Sequence, residues 1–294
     1  MKKYVIAVDG GGTKTVGALA ELNGEVLNYK VCGASNPNDI GEEAACKMIS
    51  SLVRRLADEA DGWITAVYAG ISGAVGHEKA LKRAIHQACP DTTVRVESDV
   101  YNLFGLLPGD PNRDAAAIIC GTGSVCFVRK GGELHRIGGW GYLLDSNGGA
   151  YSVGRDGLEA ALRHFDGRGK KTCLYELAEA YLGDKPEVSI GKIYSGGKPY
   201  IAGFAPEVFR AAADKDEVAL YITSKAVGTV KEYVNIAAKL LGENFDCIIS
   251  GGMMHDPLMK SMLREISGVN LIYPEREQVF GALNQALGMI ERSK

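Results

Sequence analysis

The chain opens on an apolar run, Tyr4-Val5-Ile6-Ala7-Val8, which stops at Asp9 and three glycines and resumes across Val16-Gly17-Ala18-Leu19. An Asn23-Gly24 pair, suited to a tight reversal between strands, precedes a third run to Val31, so residues 4–31 are expected to form an antiparallel three-stranded meander. A helix is expected from Asp39 to about Asp61. Ala66 to Gly73 reads as a buried strand, His77 to Cys89 as a helix, and Val94 to Asp99 as a strand leading into a helix at Tyr101.

The same grammar then starts again. Ala115 to Cys120 is an apolar run, Gly121-Thr122-Gly123-Ser124 interrupts it, Val125 to Val128 resumes, and Gly131-Gly132 turns. Helices are expected at Ala150 to Phe165, Thr172 to Leu182, briefly around Val188, at Ala205 to Ala213 and from Asp216 to Leu241. Cys247-Ile248-Ile249 is a buried strand ending in Ser250-Gly251-Gly252, followed by a helix near Asp256, a strand at Leu271 to Tyr273 and a final helix from Gln278. Two strand–loop–strand elements about 110 residues apart indicate a duplicated architecture whose glycine loops face each other across a cleft. The turn-rich stretch from Pro108 to Asp114 sets the expected domains at 1–112 and 113–294, with the last helix a candidate to pack back on the first.

Composition narrows the function classes. The 294 residues carry 33 Lys and Arg against 36 Asp and Glu, a net charge of -3, which leaves no basic surplus for nucleic acid or an anionic membrane. Any small anion must therefore be bound locally. No apolar run approaches the ~20 residues of a membrane span, and Met1-Lys2-Lys3 leads straight into the first strand rather than to a cleavage site, so a soluble cytoplasmic protein is expected. The seven cysteines, at 32, 46, 89, 120, 126, 173 and 247, form no Cys-x-x-Cys pair and are expected to be reduced thiols, most of them packed as small apolar groups.

Chemistry concentrates at the glycine loops. In Asp9-Gly10-Gly11-Gly12-Thr13-Lys14-Thr15, adjacent glycines permit positive φ and bring N–H groups close to an anion. Asp9, at the strand's end, is placed to hold Mg²⁺ through water, while Thr13 and Lys14 add a hydroxyl and a positive charge near terminal phosphates. A glycine-rich hairpin with a solvated Lys14 is the alternative. The long Walker loop, Gly-x-x-x-x-Gly-Lys-Ser/Thr, is absent at this position.

Three loops in this order, Asp9 to Thr15, Gly121 to Ser124 and Ile249 to Gly252, resemble the first phosphate, second phosphate and adenosine loops of the sugar kinase, heat-shock ATPase and actin superfamily. Within it the chain most resembles the N-acetylglucosamine kinase group, which also includes ATPase subunits of benzoyl-CoA reductase and dehydratase activators. The supporting residues are Ser35-Asn36-Pro37, Glu97-Ser98-Asp99 and Gly138-Gly139-Trp140-Gly141-Tyr142.

The resemblance implies an α/β fold of two ribonuclease H-like (actin-like ATPase) domains, each a mixed five-stranded sheet with flanking helices, with the nucleotide between them. It implies ATP and Mg²⁺ as cofactors, held by Gly11, Gly12, Thr13, Lys14, Gly121, Thr122, Gly123, Ser124, Ser250, Gly251 and Gly252, with Asp9 at the metal. It makes Asp99 the general base, a role suited to a carboxylate at a strand's end; a helix N-cap is its alternative. Ser35, Asn36, Asp99, Thr122, Gly139, Trp140, Asp145 and Ser146 would bind the acceptor, although Asn36-Pro37 also reads as a turn and Trp140 as core. The implied acceptor is an amino sugar, N-acetylglucosamine, N-acetylmuramic acid or glucosamine, phosphorylated at its 6-hydroxyl in cell-wall sugar salvage by a homodimer with no nucleic-acid or membrane partner.

One segment departs from the pattern. Where the group has Gly-Asp-Glu-Gly-Ser, this chain has Leu144-Asp145-Ser146-Asn147-Gly148-Gly149-Ala150, which places Ser146 at the acid and Asp145 one residue early. The choice of sugar is open at this point. Rival classes are an ATPase activator that drives electron transfer to a radical enzyme, for which Cys120 and Cys126 are the only cysteine candidates, a sugar-responsive repressor and a filament protein. The repressor would need a helix-turn-helix ahead of the first strand, which begins at Tyr4.

Overall fold

The computed structural model describes residues 2–110, 112–145 and 147–291 and divides the chain into two compact units, Met1–Arg113 with Pro274–Lys294, and Asp114–Tyr273. In the first unit, β1 (Lys3–Gly10), β2 (Thr15–Glu21) and β3 (Val26–Cys32) form the antiparallel meander, and β4 (Trp63–Ile71) and β5 (Thr93–Glu97) extend it in parallel, in the order β3-β2-β1-β4-β5. β1 and β4 are central and covered on both faces, which is why they read as continuous apolar runs rather than as alternations. The short α1 (Pro37–Ile40) leads into α2 (Glu42–Ala57), and α2 packs with α3 (Glu78–Ala88) on one face of the sheet, where Ile6, Val8 and Val67 meet Ile49, Leu52, Leu81 and Ile85. The strand β5 is followed by α4 (Val100–Phe104).

The second unit repeats the plan. β6 (Ala115–Cys120), β7 (Ser124–Lys130) and β8 (Glu133–Ile137) are antiparallel, β9 (Phe245–Ser250) and β10 (Val269–Ile272) add in parallel, and the order is β10-β9-β6-β7-β8. Between β8 and β9 lie α5 (Ala150–Phe165), α6 (Leu174–Leu182), α7 (Ile190–Ala202), α8 (Ala205–Ala213) and α9 (Glu217–Leu241); α10 (Pro257–Leu263) precedes β10. Their core gathers Ile118, Cys126, Phe204, Val208, Val230 and Ile249. The last helix, α11 (Gln278–Glu291), belongs to the first unit, where Val279, Ala282, Leu283 and Ala286 cover Val5, Ala7, Ala18 and Tyr68.

The fold is thus the two mixed five-stranded sheets with flanking helices that the sequence implied. Two local expectations change. The helix expected from Asp39 is broken at Gly41, whose φ of 87° lies outside the helical region, so α1 and α2 are separate. The segment after Val188 holds the whole of α7, obscured in the sequence by Gly196-Gly197 and Pro199; the helix accommodates them through a kink at Gly197.

Candidate active-site residues in each unit

In the first unit the turn between β1 and β2 is closed by the Gly11 N–H donating to the Lys14 carbonyl, 3.0 Å, and is tied from beneath by the Ser35 N–H donating to the Gly11 carbonyl, 2.9 Å. None of Gly10, Gly11 or Gly12 adopts positive φ, contrary to the sequence reading. What the turn requires there is the missing side chain. A Cβ on Gly10 would strike the Ser35 Oγ, and one on Gly12 would sit 2.9 Å from the Asp39 Oδ2. Ser35 is fully buried and accepts from the Thr15 Oγ1 at 2.8 Å, so this serine supports the loop from within. Lys14 is exposed and lies 3.6 Å from the Glu277 carboxylate, which also accepts from the Tyr29 hydroxyl.

Two carboxylates stand at the carboxyl ends of β1 and β5. Asp9 is half-buried, and burial pushes its pKa up to about 6. Opposing that, the Asn102 Nδ2 donates to the Asp9 Oδ1 at 2.7 Å, while the charge of Asp99 adds to the upward shift. Asp99 is likewise raised by burial, against hydrogen bonds from the Ser98 and Ser72 hydroxyls. It occupies the N-cap position of α4, yet its carboxylate makes no capping bond, because the Tyr101 and Asn102 N–H groups donate to the Ser98 and Asp99 carbonyls at 3.1 and 2.9 Å. Besides the two serine hydroxyls, the carboxylate meets the backbone N–H groups of Val100 and Asp99, all of which favour its charged form. Asn36 does cap: its Oδ1 accepts the Asn38 N–H of α1 at 3.0 Å, which commits the oxygen and leaves the amide NH₂ as its donor.

Asp9 fits a hydrated divalent cation. Magnesium keeps several waters and takes one or two carboxylates together with substrate phosphates, so it does not need a protein cage. Among the described residues no group of three or more His, Cys, Asp or Glu could hold a metal, and Asp9 has one oxygen bound by Asn102 and the other without a protein partner.

Asn102 itself went unread in the sequence. It is fully buried, its Nδ2 donates to both the Asp9 Oδ1 and the Gly70 carbonyl, and its Oδ1 has no partner. Both contacts are to acceptors, which fixes the orientation of the amide. The available signal was one amide within the apolar run Val100-Tyr101-Asn102-Leu103-Phe104, since a polar side chain inside a buried helix needs a reason.

In the second unit the Gly121 N–H donates to the Gly123 carbonyl at 2.9 Å, and the first N–H groups of α5, those of Ala150 and Tyr151, donate to the Gly121 and Thr122 carbonyls, both at 2.9 Å. The α5 terminus is therefore spent on shaping the loop. Ser124 is buried beneath it, donating to the Asn147 carbonyl at 2.6 Å and lying 3.0 Å from the Tyr233 hydroxyl. Gly251, at φ 112°, packs its Cα against the Cys120–Gly121 peptide, where a Cβ would lie 2.8 Å from the Gly121 nitrogen. This contact brings the Gly121–Ser124 and Ser250–Gly252 loops side by side. They border a cavity of about 640 Å³ lined by Gly121, Thr122, Gly252 and Met253 from the loops and by Ala205, Pro206 and Phe209 from α8.

The remaining predicted residues lie after β8. Gly139, at φ 72°, approaches Val125 of β7, where a Cβ would come within 2.6 Å. Trp140 is 62% exposed, with the Arg136 guanidinium 4.5 Å above its ring, so it is a surface platform rather than core. Asp145 turns back toward it, accepting the Trp140 N–H at 3.4 Å. Ser146 lies outside the described residues.

Comparison with known proteins agrees with this architecture. The chain is 28% identical over 299 residues to the N-acetylmuramic acid/N-acetylglucosamine kinase of Clostridium acetobutylicum, covering 96% of this chain and 97% of that one. It is 27% identical over 327 residues to the N-acetyl-D-glucosamine kinase of Dictyostelium discoideum, covering 97% and 98%. The ROK hexokinase from Thermus thermophilus superposes with a TM-score of 0.64 at 18% identity over 99% of this chain and 100% of that one, a likeness of fold. With the profile of the BadF/BadG/BcrA/BcrD ATPase family matching residues 6–286, the chain belongs to that family.

Proposed function

We propose that this chain transfers the γ-phosphoryl group of ATP to the 6-hydroxyl of an amino sugar, N-acetylglucosamine, N-acetylmuramic acid or glucosamine. The observation that carries the reading is Asp99: a carboxylate at a strand's end, raised by burial and making no side-chain cap to the helix it precedes. A raised pKa brings a carboxylate nearer the range in which a general base works well. In this reading Asp99 accepts the hydroxyl proton as the sugar oxygen bonds to the γ-phosphorus and the bond to ADP breaks. The two kinases related over nearly their whole length support the substrate class.

Asp9 would hold Mg²⁺ through water, an ion that neutralises phosphate charge when bound. Lys14, Thr13 and the glycine N–H groups would meet the phosphates, and the second unit's loops and cavity would take the rest of the nucleotide. Asn36, Gly139, Trp140 and Asp145 are assigned to the sugar on the family resemblance, as are a homodimer and a cytoplasmic setting; light scattering in solution tests the dimer.

The family's description as ATPases favours a second reading, an activator that couples hydrolysis to electron transfer. Cys120 and Cys126 bear on it. Both are buried inside the second unit's core, with thiols pushed up to about 12 by burial, an environment that opposes the thiolates an iron–sulfur cluster requires. The deciding experiment is ADP release with Mg-ATP across N-acetylglucosamine, N-acetylmuramic acid, glucosamine, N-acetylmannosamine and glucose. Strong stimulation by an amino sugar is expected; steady hydrolysis indifferent to every sugar would replace the kinase with the activator.

A further inference from the structure

The cavity beside the second unit's loops is walled mainly by Phe209, Met253, Ala205 and Pro206, all apolar. Side chains able to donate or accept there are Thr122, His255 and Asp256. Thr122 belongs to the glycine loop. Asp256 caps α10, its Oδ1 accepting the Leu258 and Met259 N–H groups at 2.8 and 3.0 Å. His255 is exposed. Along the α7–α8 wall the N–H groups of Gly203, Phe204, Glu207 and Val208 are committed, donating to the carbonyls of Pro199, Ile201 and, twice, Phe204, and Pro206 has no N–H.

Adenine presents a donor at C6 and an acceptor at N1, and guanine and hypoxanthine present the reverse. Telling them apart takes fixed partners at that edge: a site built to hydrogen-bond a substrate group rejects the wrong one by ~10⁴-fold or more, whereas an apolar pocket discriminates far less. Stacking on rings and aliphatic side chains is indifferent to the edge, because every base has a π-face. We propose that this cavity holds the donor's purine by shape and stacking without reading its edge, so that GTP and ITP serve as phosphoryl donors alongside ATP. The inference rests on the reading of the cavity as part of the nucleotide site.

Two measurements separate its failure from failure of the kinase reading. Binding of ADP, GDP and IDP with Mg²⁺, followed by calorimetry, needs no acceptor: affinities within about tenfold of one another are expected, and a preference for ADP above about 100-fold would overturn the inference by revealing a group that reads the 6-amino edge. Initial rates with saturating N-acetylglucosamine and each triphosphate should give kcat/KM values in the same narrow span, and a strict requirement for ATP would overturn it while leaving the kinase intact. His255→Ala should leave the ratio of ADP to GDP affinity unchanged within about twofold; a selective loss of either would make His255 a reader of the base and refute the proposal.

Discussion

The two units share a strand order and differ in what the strands deliver. In the first, β1 carries Asp9 one residue before its end and β5 leads to Asp99, both carboxylates raised by burial. In the second, the equivalent β6 ends at Cys120, ahead of Gly121-Thr122-Gly123-Ser124, and the equivalent β10 ends at Ile272, ahead of Tyr273, so neither strand delivers a carboxylate within the unit. One copy of the sheet thus presents charge at its carboxyl edge, and the other presents close-packed main chain. Duplication supplies the scaffold twice, while the chemistry is set by the residue at each strand's end.

Four substitutions would break or sharpen this contrast. The largest effect is expected from Asp99→Asn, which should lower phosphoryl transfer by at least ~10²-fold and leave nucleotide affinity in place; unchanged turnover would move the base elsewhere. Asn102→Leu keeps the volume and removes the donor to Asp9, so the Mg²⁺ concentration for half-maximal rate should rise about 10- to 100-fold with the sugar KM unchanged, and Mn²⁺ binding in the presence of ADP, read by electron paramagnetic resonance, should weaken with it.

On the side of shape, Gly251→Ala places a Cβ against the Cys120–Gly121 peptide at φ 112° and should destabilise the second unit by on the order of 3 kcal/mol in urea unfolding. A variant as stable as the parent would show that these loops yield easily.

The smallest expected effect concerns pH. The folded pKa of Asp9, about 6, lies above its ordinary value of 3.8, so its contribution to stability is fully present below about pH 4 and is lost as pH rises through 6. Metal-free Asp9→Asn should therefore be more stable than the parent at pH 7, by on the order of 2 kcal/mol, with the difference closing toward pH 4 in thermal melts. Lower stability of the variant at pH 7 would mean that Asp9 is not strained by its burial.

Much of the scaffold was legible because its signals are local. Apolar runs stopping at Asp9, Cys120 and Ser250 mark buried strands by length and composition alone. What stayed hidden depends on packing between segments distant in sequence. The glycines at 10–12 suggest unusual φ, but the reason for Gly10 is the Ser35 hydroxyl beneath it. Asn102 owes its place to acceptors on β1 and β4, which no window around it displays. The helix α7 was lost to Gly197 and Pro199: glycine takes the positive φ of the kink and proline follows it at the start of the next helical turn, so the two residues bend the helix where their local preferences alone would have ended it.

Consider finally the order in which this polypeptide leaves the ribosome. Val5, Ala7, Ala18 and Tyr68 are made early, yet the helix that covers them, α11, is made after the whole of the second unit. For most of translation the opening sheet therefore exposes one oily face, while the segment from Asp114 to Tyr273 already has everything its own core requires. The nascent chain must keep that face from aggregating until α11 has been made, and an interruption of synthesis before α11 leaves the first unit without its cover while the second has its core complete.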